Sequence, residues 1–176
     1  VDKNTVEVSK NDEKKNYTAK HIILATGARS KELPNLKQDG KKIIGYRDAL
    51  SLDKLPKSMI VVGSGAIGTE LAYFYNAMGT QIRLVEFLPD VVPLEDEEVS
   101  KQLARSLKKA KIKVMTNAKV KSADTSGDEC KAVIETKKGE ETHEAEIILS
   151  AVGVTPNIEN IGIEEMNIEK ENGKID

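Results

Sequence analysis

The chain has no tryptophan, a single cysteine and only two histidines among its 176 residues. Phe and Tyr are the only aromatics, at 3% of the chain, so a core must rest on Ile, Val, Leu and Ala. Hydrophobic residues still reach 39%, enough to build one. The lone Cys130 excludes an internal disulfide and fits a reducing compartment. We therefore expect a cytoplasmic protein, or a mitochondrial-matrix one in a eukaryote. No apolar run approaches the roughly 20 residues that span a bilayer, and no secretory leader pattern is visible. Neither charge sign dominates: 27 Lys and Arg face 29 Asp and Glu. That balance gives no reason to expect nucleic acid or a membrane surface as partner. No metal-ligand cluster and no serine-nucleophile pattern appears. His21 and His143 each precede strand-like runs without a recognisable catalytic partner, and Cys130 lies in a strand-like segment. We read all three as structural.

What the chain does have is glycine in a particular place. Gly63-Ser64-Gly65-Ala66-Ile67-Gly68 follows the apolar run Met59-Ile60-Val61-Val62 and opens a helical pattern. A second apolar run, Ile82-Arg83-Leu84-Val85, comes next and ends at Glu86. Strand, glycine turn, helix, strand and acid in this order predict a dinucleotide-binding βαβ unit. Each glycine has a physical task. Gly63 allows the tight turn off the strand, Gly65 has no side chain to block a pyrophosphate, and Gly68 lets the helix pack closely. Phosphates would then meet free backbone N–H groups at the positive end of the helix dipole. Glu86 can accept hydrogen bonds from adenosine ribose hydroxyls and would repel a 2′-phosphate. No Lys or Arg follows before Val92, so NAD is expected over NADP. The alternatives are a ligand-free glycine turn and an acid at a solvent-exposed strand end.

The rest of the chain fits around this unit. Thr5 to Ser9 and Lys15 to Lys20 read as a hairpin turning at Lys10-Asn11-Asp12-Glu13. His21 to Ala25 reads as a buried apolar strand ending at Thr26-Gly27. Ser30 to Leu55 reads mainly as connection, with a short helix after Tyr46. The helix after the glycine turn should bury Ile67, Leu71, Phe74, Tyr75 and Met78, with Gly79 at its C-terminal end. A second helix over 95–110 should bury Val99, Leu103, Leu107 and Ala110. Its acidic start and basic end suit the helix dipole, but a solvated face is sufficient to explain them and is the reading we take. A third strand covers 112–115. Hairpin-like segments follow at 118–124, 130–137 and 140–145, then an apolar strand over 147–151. Gly153 ends that strand at the edge where ligands of parallel sheets bind; the alternative is an ordinary turn glycine.

One stretch repeats. Ala19 to Gly27 aligns without gaps on Ala145 to Gly153, and a proline follows each copy (Pro34 and Pro156). Either two similar domains each close with this strand, or two buried strands resemble one another by chance. The chain begins at Val1 inside a strand-like pattern and stops at Asp176 without a capping element. We read it as an excerpt from a longer protein.

Together, Ala25-Thr26-Gly27-Ala28, the run from Gly63 to Glu70, Glu86, and Ala151-Val152-Gly153-Val154-Thr155-Pro156-Asn157 resemble the FAD- and NAD-dependent disulfide reductases. The segments Leu88-Pro89-Asp90 and Glu95 to Ser100 look most like the family's lipoamide dehydrogenase subgroup. The resemblance covers nearly the whole chain. It implies an α/β fold: a Rossmann-like NAD-binding domain with a parallel sheet and a β-meander crossover, plus flanking strands of a truncated FAD domain. Residues 1–33 would close the first FAD-domain segment, 34–153 would form the NAD domain, and 154–176 would begin the return to the FAD domain.

The resemblance also implies roles. Gly63, Gly65 and Gly68 would hold the NAD pyrophosphate, with Ala66 and Ile67 beside the dinucleotide. Glu70 would face the nicotinamide end, Glu86 the adenosine ribose, Val120 the adenine, and Gly153 the nicotinamide. Thr26 and Gly27 would approach FAD in the complete enzyme. The family's first glycine motif, its redox-active cysteine pair, its later Gly-Asp motif and its dimerisation domain with a His-Glu pair are absent from this sequence. The expected partners are thus NAD(H) and the remaining FAD and dimerisation domains of a homodimeric parent. The expected parent reaction is oxidation of dihydrolipoamide with NAD as acceptor, and the excerpt alone is expected to be inactive. Mercuric reductases, soluble transhydrogenases and NADH-dependent disulfide or peroxide reductases share the scaffold. A non-catalytic NAD-sensing module is the alternative of another class.

Overall fold

A computed structural model describes residues 1–175. In chain order the elements begin with β1 (Thr5–Lys10), β2 (Glu13–Thr18), β3 (Ala28–Ser30), β4 (Ile43–Ile44) and α1 (Tyr46–Ala49). The glycine turn lies between β5 (Ser58–Val62) and α2 (Ala66–Ala77), followed by β6 (Gln81–Val85), α3 (Glu97–Lys109) and β7 (Lys113–Met115). Then come β8 (Lys119–Asp124), β9 (Cys130–Thr136), β10 (Gly139–Ala145), β11 (Ile147–Ser150), β12 (Val154–Pro156), β13 (Lys170–Glu171) and β14 (Lys174–Ile175). The chain divides into two compact units, Ser30–Gly153 and Val1–Arg29 with Val154–Asp176.

The larger unit is built on a five-stranded sheet in the order β4-β11-β5-β6-β7, with every neighbouring pair parallel. Its strands are apolar on both sides because both faces are covered. On one face Met59, Val61, Leu84 and Leu149 pack against Leu71, Ala72 and Tyr75 of α2 and Leu107 of α3. On the other, Ile60, Val62, Val85 and Ile148 pack against Val120, Ala132 and Ile134 of an antiparallel sheet ordered β10-β9-β8. This is the expected parallel sheet with its meander. Burial of this kind makes truncation costly: a buried Leu to Ala typically loses 2–5 kcal/mol, so about that is expected at Leu84.

Helix positions are correct, but their buried faces are not quite those expected. In α2 the buried residues are Gly68, Thr69, Leu71, Ala72 and Tyr75, while Phe74 and Met78 are more than half exposed. Close approach to the sheet buries the small residues Gly68, Thr69 and Ala72 beside Leu71 and Tyr75, and Phe74 and Met78 fall on the outward side. In α3, Ser100 and Leu107 are buried and Val99 is exposed, because the Ser100 hydroxyl turns inward to donate to the Val92 carbonyl at 3.3 Å. Both helices end alike. After α2, Gly79 N–H bonds Asn76 O and Thr80 N–H bonds Tyr75 O, each at 3.0 Å, with Gly79 at φ +103°. After α3, Lys111 takes the same left-handed place at φ +64°.

Two further expectations need correction. The connection over 30–55 contains β4, whose Ile43 and Ile44 are buried and extend the parallel sheet beside β11. The apolar run His21 to Ala25 is no strand. Residues 21–27 have no ladder partner among the described residues, and Ile23 is 89% exposed. Its repeat, 147–150, is held between β4 and β5. An apolar run becomes a strand only where neighbours take its backbone hydrogen bonds.

In the smaller unit β1 and β2 form the expected antiparallel hairpin, turning through Asn11 and Asp12, both at positive φ. Asn157 donates to Thr26 O (Nδ2, 3.2 Å) and to Gly27 O (backbone N–H, 3.0 Å). Arg29 forms a two-point ion pair with Glu159 at 2.5 and 3.1 Å. That guanidinium holds the Glu159 carboxyl down at about 2. β13 and β14 close a second small hairpin.

Candidate functional site

A cavity of about 690 Å³ opens at the carboxyl edge of the parallel sheet, within the larger unit. Three strand ends meet there. β5 delivers Val62 and Gly63, β6 delivers Val85 and Glu86, and β11 leads into Ala151, Val152 and Gly153. From β5 the chain proceeds outward to β6 and β7, then crosses back to β11 on the other side. Such a topological switch point is where open parallel sheets leave a crevice for ligands. The remaining wall comes from Leu33, Asn35, the loop from Phe87 to Glu95, and Ala118 to Val120. A smaller cavity of about 460 Å³ lies at the opposite edge, between the strand starts Ser58 and Gln81, away from the Gly63–Gly68 turn.

The three glycines differ in what demands them. Gly63 sits at φ +100°, and a Cβ there would strike the Ala151 carbonyl. A Cβ on Gly68 would overlap the Gly63 carbonyl oxygen. The fold itself requires both. Gly65 is another matter: its φ of −66° suits any residue, and a Cβ would meet nothing within 4 Å. Nothing within the chain asks for glycine there. Gly65 lines the cavity and is the N-cap of α2, where it makes no side-chain cap bond. The first helical turn carries no acid. Its N–H groups, at Ala66, Ile67 and Gly68, have no carbonyl partner within the helix. An uncapped helix start whose own first turn carries no acid, opening onto a cavity, has the chemistry of an anion site.

Glu86 is 7% exposed at the end of β6 and lines the same cavity. Its carboxylate is held by the chain. Oε2 accepts from the Ser64 N–H at 2.7 Å and the Ser64 hydroxyl at 2.8 Å, and Oε1 accepts from the Leu88 N–H at 2.8 Å. The Ser64 carbonyl in turn accepts the Val92 N–H at 2.9 Å. Val92 is buried with φ +41°, an unusual angle for a β-branched residue that costs about 1–3 kcal/mol. Opposite, Asn35 Nδ2 donates to Val120 O at 2.7 Å and Lys121 O at 2.9 Å, fixing the segment before β4 to the meander.

Of the expected site residues, Gly63, Gly65, Ala66, Ile67, Glu86, Val120 and Gly153 line this one cavity. Gly68 lies beneath it as a packing contact. Glu70 is exposed on α2 and is not part of the lining. Thr26 and Gly27 are exposed in the smaller unit. Ser64, Val92, Leu33 and Asn35 were not singled out from the sequence. Leu33 and Asn35 carry no motif, and the tasks of Ser64 and Val92 emerge only once Glu86 is placed. Cys130 is buried at the start of β9, and burial pushes its thiol up. His143 lies on β10 with Glu141 at 3.0 Å, outside the cavity. No metal-ligating cluster and no helix long and apolar enough to cross a membrane occurs among the described residues.

A parallel sheet with helices on one face, a meander on the other and a glycine turn at its switch point defines a Rossmann-type oxidoreductase scaffold. The chain belongs to the pyridine nucleotide-disulphide oxidoreductase family, whose model matches residues 1–176. It is 45% identical over 158 residues to a dihydrolipoyl dehydrogenase of Rhizobium etli, covering 89% of this chain and 33% of that protein. The mitochondrial dihydrolipoyl dehydrogenase 2 of Arabidopsis thaliana is 42% identical over 156 residues, covering 88% and 31%. Among solved structures, LpdA from Mycobacterium tuberculosis superposes with a TM-score of 0.82 at 28% identity, covering 95% of this chain and 36% of that one. The chain thus spans about a third of the length of the relatives it matches. The family couples flavin and pyridine nucleotide, and these relatives are dehydrogenases from bacteria and from mitochondria.

Proposed function

We propose that this chain is the NAD(H)-binding section of a flavoprotein disulfide oxidoreductase that oxidises dihydrolipoamide. The observation that carries the reading is Gly65: a glycine that the fold does not need, at an uncapped helix start opening into the cavity. The site fits a dinucleotide. A cavity of about 690 Å³ is within the usual range for cofactors. The N–H groups of Ala66, Ile67 and Gly68 would hold the pyrophosphate. Glu86 would accept the adenosine ribose hydroxyls, and its charge would repel a 2′-phosphate. Val120 would lie beside the adenine, and Gly153 would leave room for the nicotinamide, with Glu70 toward that end. Bound NAD would supply a hydride acceptor; the residues here bind and orient it.

The names and identities of the relatives support the dihydrolipoamide substrate. Residues 1–33, with Thr26 and Gly27, and residues 154–176 would complete a FAD domain in the parent protein. The parent would be a homodimer in the cytoplasm or mitochondrial matrix. Calorimetric titration of the full-length protein tests the reading: NAD should bind at least tenfold more tightly than NADP. Equal affinity for the two, or none for either, would overturn it.

A further inference from the structure

Ser64 stands between two glycines of the turn and is completely buried. No helix cap or packing contact calls for a hydroxyl at this position. Both of its donors go to the same atom: N–H and Oγ–H converge on Oε2 of Glu86. An ionised carboxylate offers about four lone-pair directions, two on each oxygen. Ser64 uses both of those on Oε2. Leu88 N–H takes one on Oε1, which leaves one acceptor direction there. Ser64 also holds the loop above through its carbonyl and the Val92 N–H. A single residue therefore connects the phosphate turn, the acid and the loop.

We infer that Ser64 is a positioning residue for dinucleotide selectivity: its hydroxyl fixes the Glu86 carboxylate so that one oxygen is saturated and the other faces the adenosine ribose. The inference rests on the reading of the cavity as a dinucleotide site and goes beyond it. Selectivity between NAD and NADP depends on where the Glu86 charge stands as well as on its presence. A carboxylate held by three donors cannot swing away to relieve repulsion with a 2′-phosphate, and it makes its ribose contact without losing side-chain freedom on binding. The backbone N–H of Ser64 survives any substitution, so the hydroxyl is the separable part. Its removal would free a lone pair and let the carboxylate relax.

The test is calorimetric titration of the oxidised full-length protein with NAD and, separately, NADP. Neither is turned over under these conditions. For Ser64→Ala we expect NAD affinity to fall about fivefold and NADP affinity to hold or rise, so that the selectivity ratio drops about fivefold or more. Ser64→Cys, with its weaker donor, should fall between. Adding Ser64→Ala to Glu86→Gln should leave the ratio of Glu86→Gln unchanged, because the hydroxyl acts only through the carboxylate. A merely structural serine would weaken both ligands equally, and an unchanged ratio in Ser64→Ala overturns the inference. So does a further change of ratio in the double variant. If Glu86→Gln alone leaves the ratio untouched, the reading of Glu86 as ribose ligand fails, and the inference fails with it. Thermal melts of each variant establish that the titrated protein is folded.

Discussion

Helices α2 and α3 begin in opposite ways. At α3, Asp96 accepts the Glu98 N–H at 2.8 Å, and Glu97 and Glu98 add negative charge to the first turn. At α2, the cap is Gly65, no side chain closes the turn, and the first turn itself carries no acid. Both helices pack on the same face of the same sheet. The difference therefore comes from what each end must meet. One supplies its own anion from the chain. The other leaves its N–H groups and its positive end for an anion that comes from outside.

The sharpest way to break this contrast is to give α2 the end that α3 has. Gly65→Asp keeps an accessible φ and fills open space, so the protein should fold about as well as before, since an Asp cap exceeds a Gly cap by only about a few tenths of a kcal/mol. The new carboxylate would stand where the pyrophosphate belongs, and NAD affinity should fall about 100-fold or more in a calorimetric titration. Binding would be lost while stability held. If affinity survived, α2 would not be an anion site.

A change at the ribose end should have the next largest effect. Glu86→Arg replaces repulsion of a 2′-phosphate by attraction, and the NAD-to-NADP affinity ratio should fall about tenfold or more. Unchanged preference would detach Glu86 from the ribose.

The converse substitution at α3 should be smaller. Asp96→Ala removes a cap and should cost about 1 kcal/mol in a denaturant melt while leaving NAD affinity where it was. Loss of NAD binding there would mean that the two helix ends are not independent.

The smallest effect concerns an anion wholly satisfied within the smaller unit. Glu159 titrates near 2, below its ordinary 4.5, because Arg29 pairs with it. The folded value is depressed, so the pair's contribution is complete above pH 4.5 and is lost as pH falls through about 2. Carbon-detected NMR titration of the Glu159 carboxyl should show that low midpoint, and Arg29→Ala should return it toward 4.5. A midpoint near 4.5 in the unaltered protein would remove the ion pair from the account.

Much of this was legible in the sequence where one rule sufficed. Apolar runs on either side of Gly63, Gly65 and Gly68 gave β5, α2 and β6 in order, and Glu86 fell at the strand end because that register is short. Hydrophobicity misplaced the buried face of α2. It pointed to Phe74 and Met78, whereas close packing chose Gly68, Thr69 and Ala72. It also failed to separate 21–25 from 147–151, since the two runs differ in their neighbours and hardly in themselves. β4, two residues long, is too short for any periodicity to show. Ser64 was invisible for a different reason: its partner Glu86 is 22 residues away, and only the fold brings the two within reach.

Residues 21–27 set a practical condition on any measurement made with this chain by itself. Ile22-Ile23-Leu24 is uncharged, apolar and rich in β-forming side chains, and its backbone has no ladder partner among the described residues. Such a stretch is a template for cross-β stacking between molecules. Preparations of this chain by itself should aggregate with rising concentration through that seam. An acidic residue at Ile23, which is 89% exposed, should raise the solubility limit without touching the cavity.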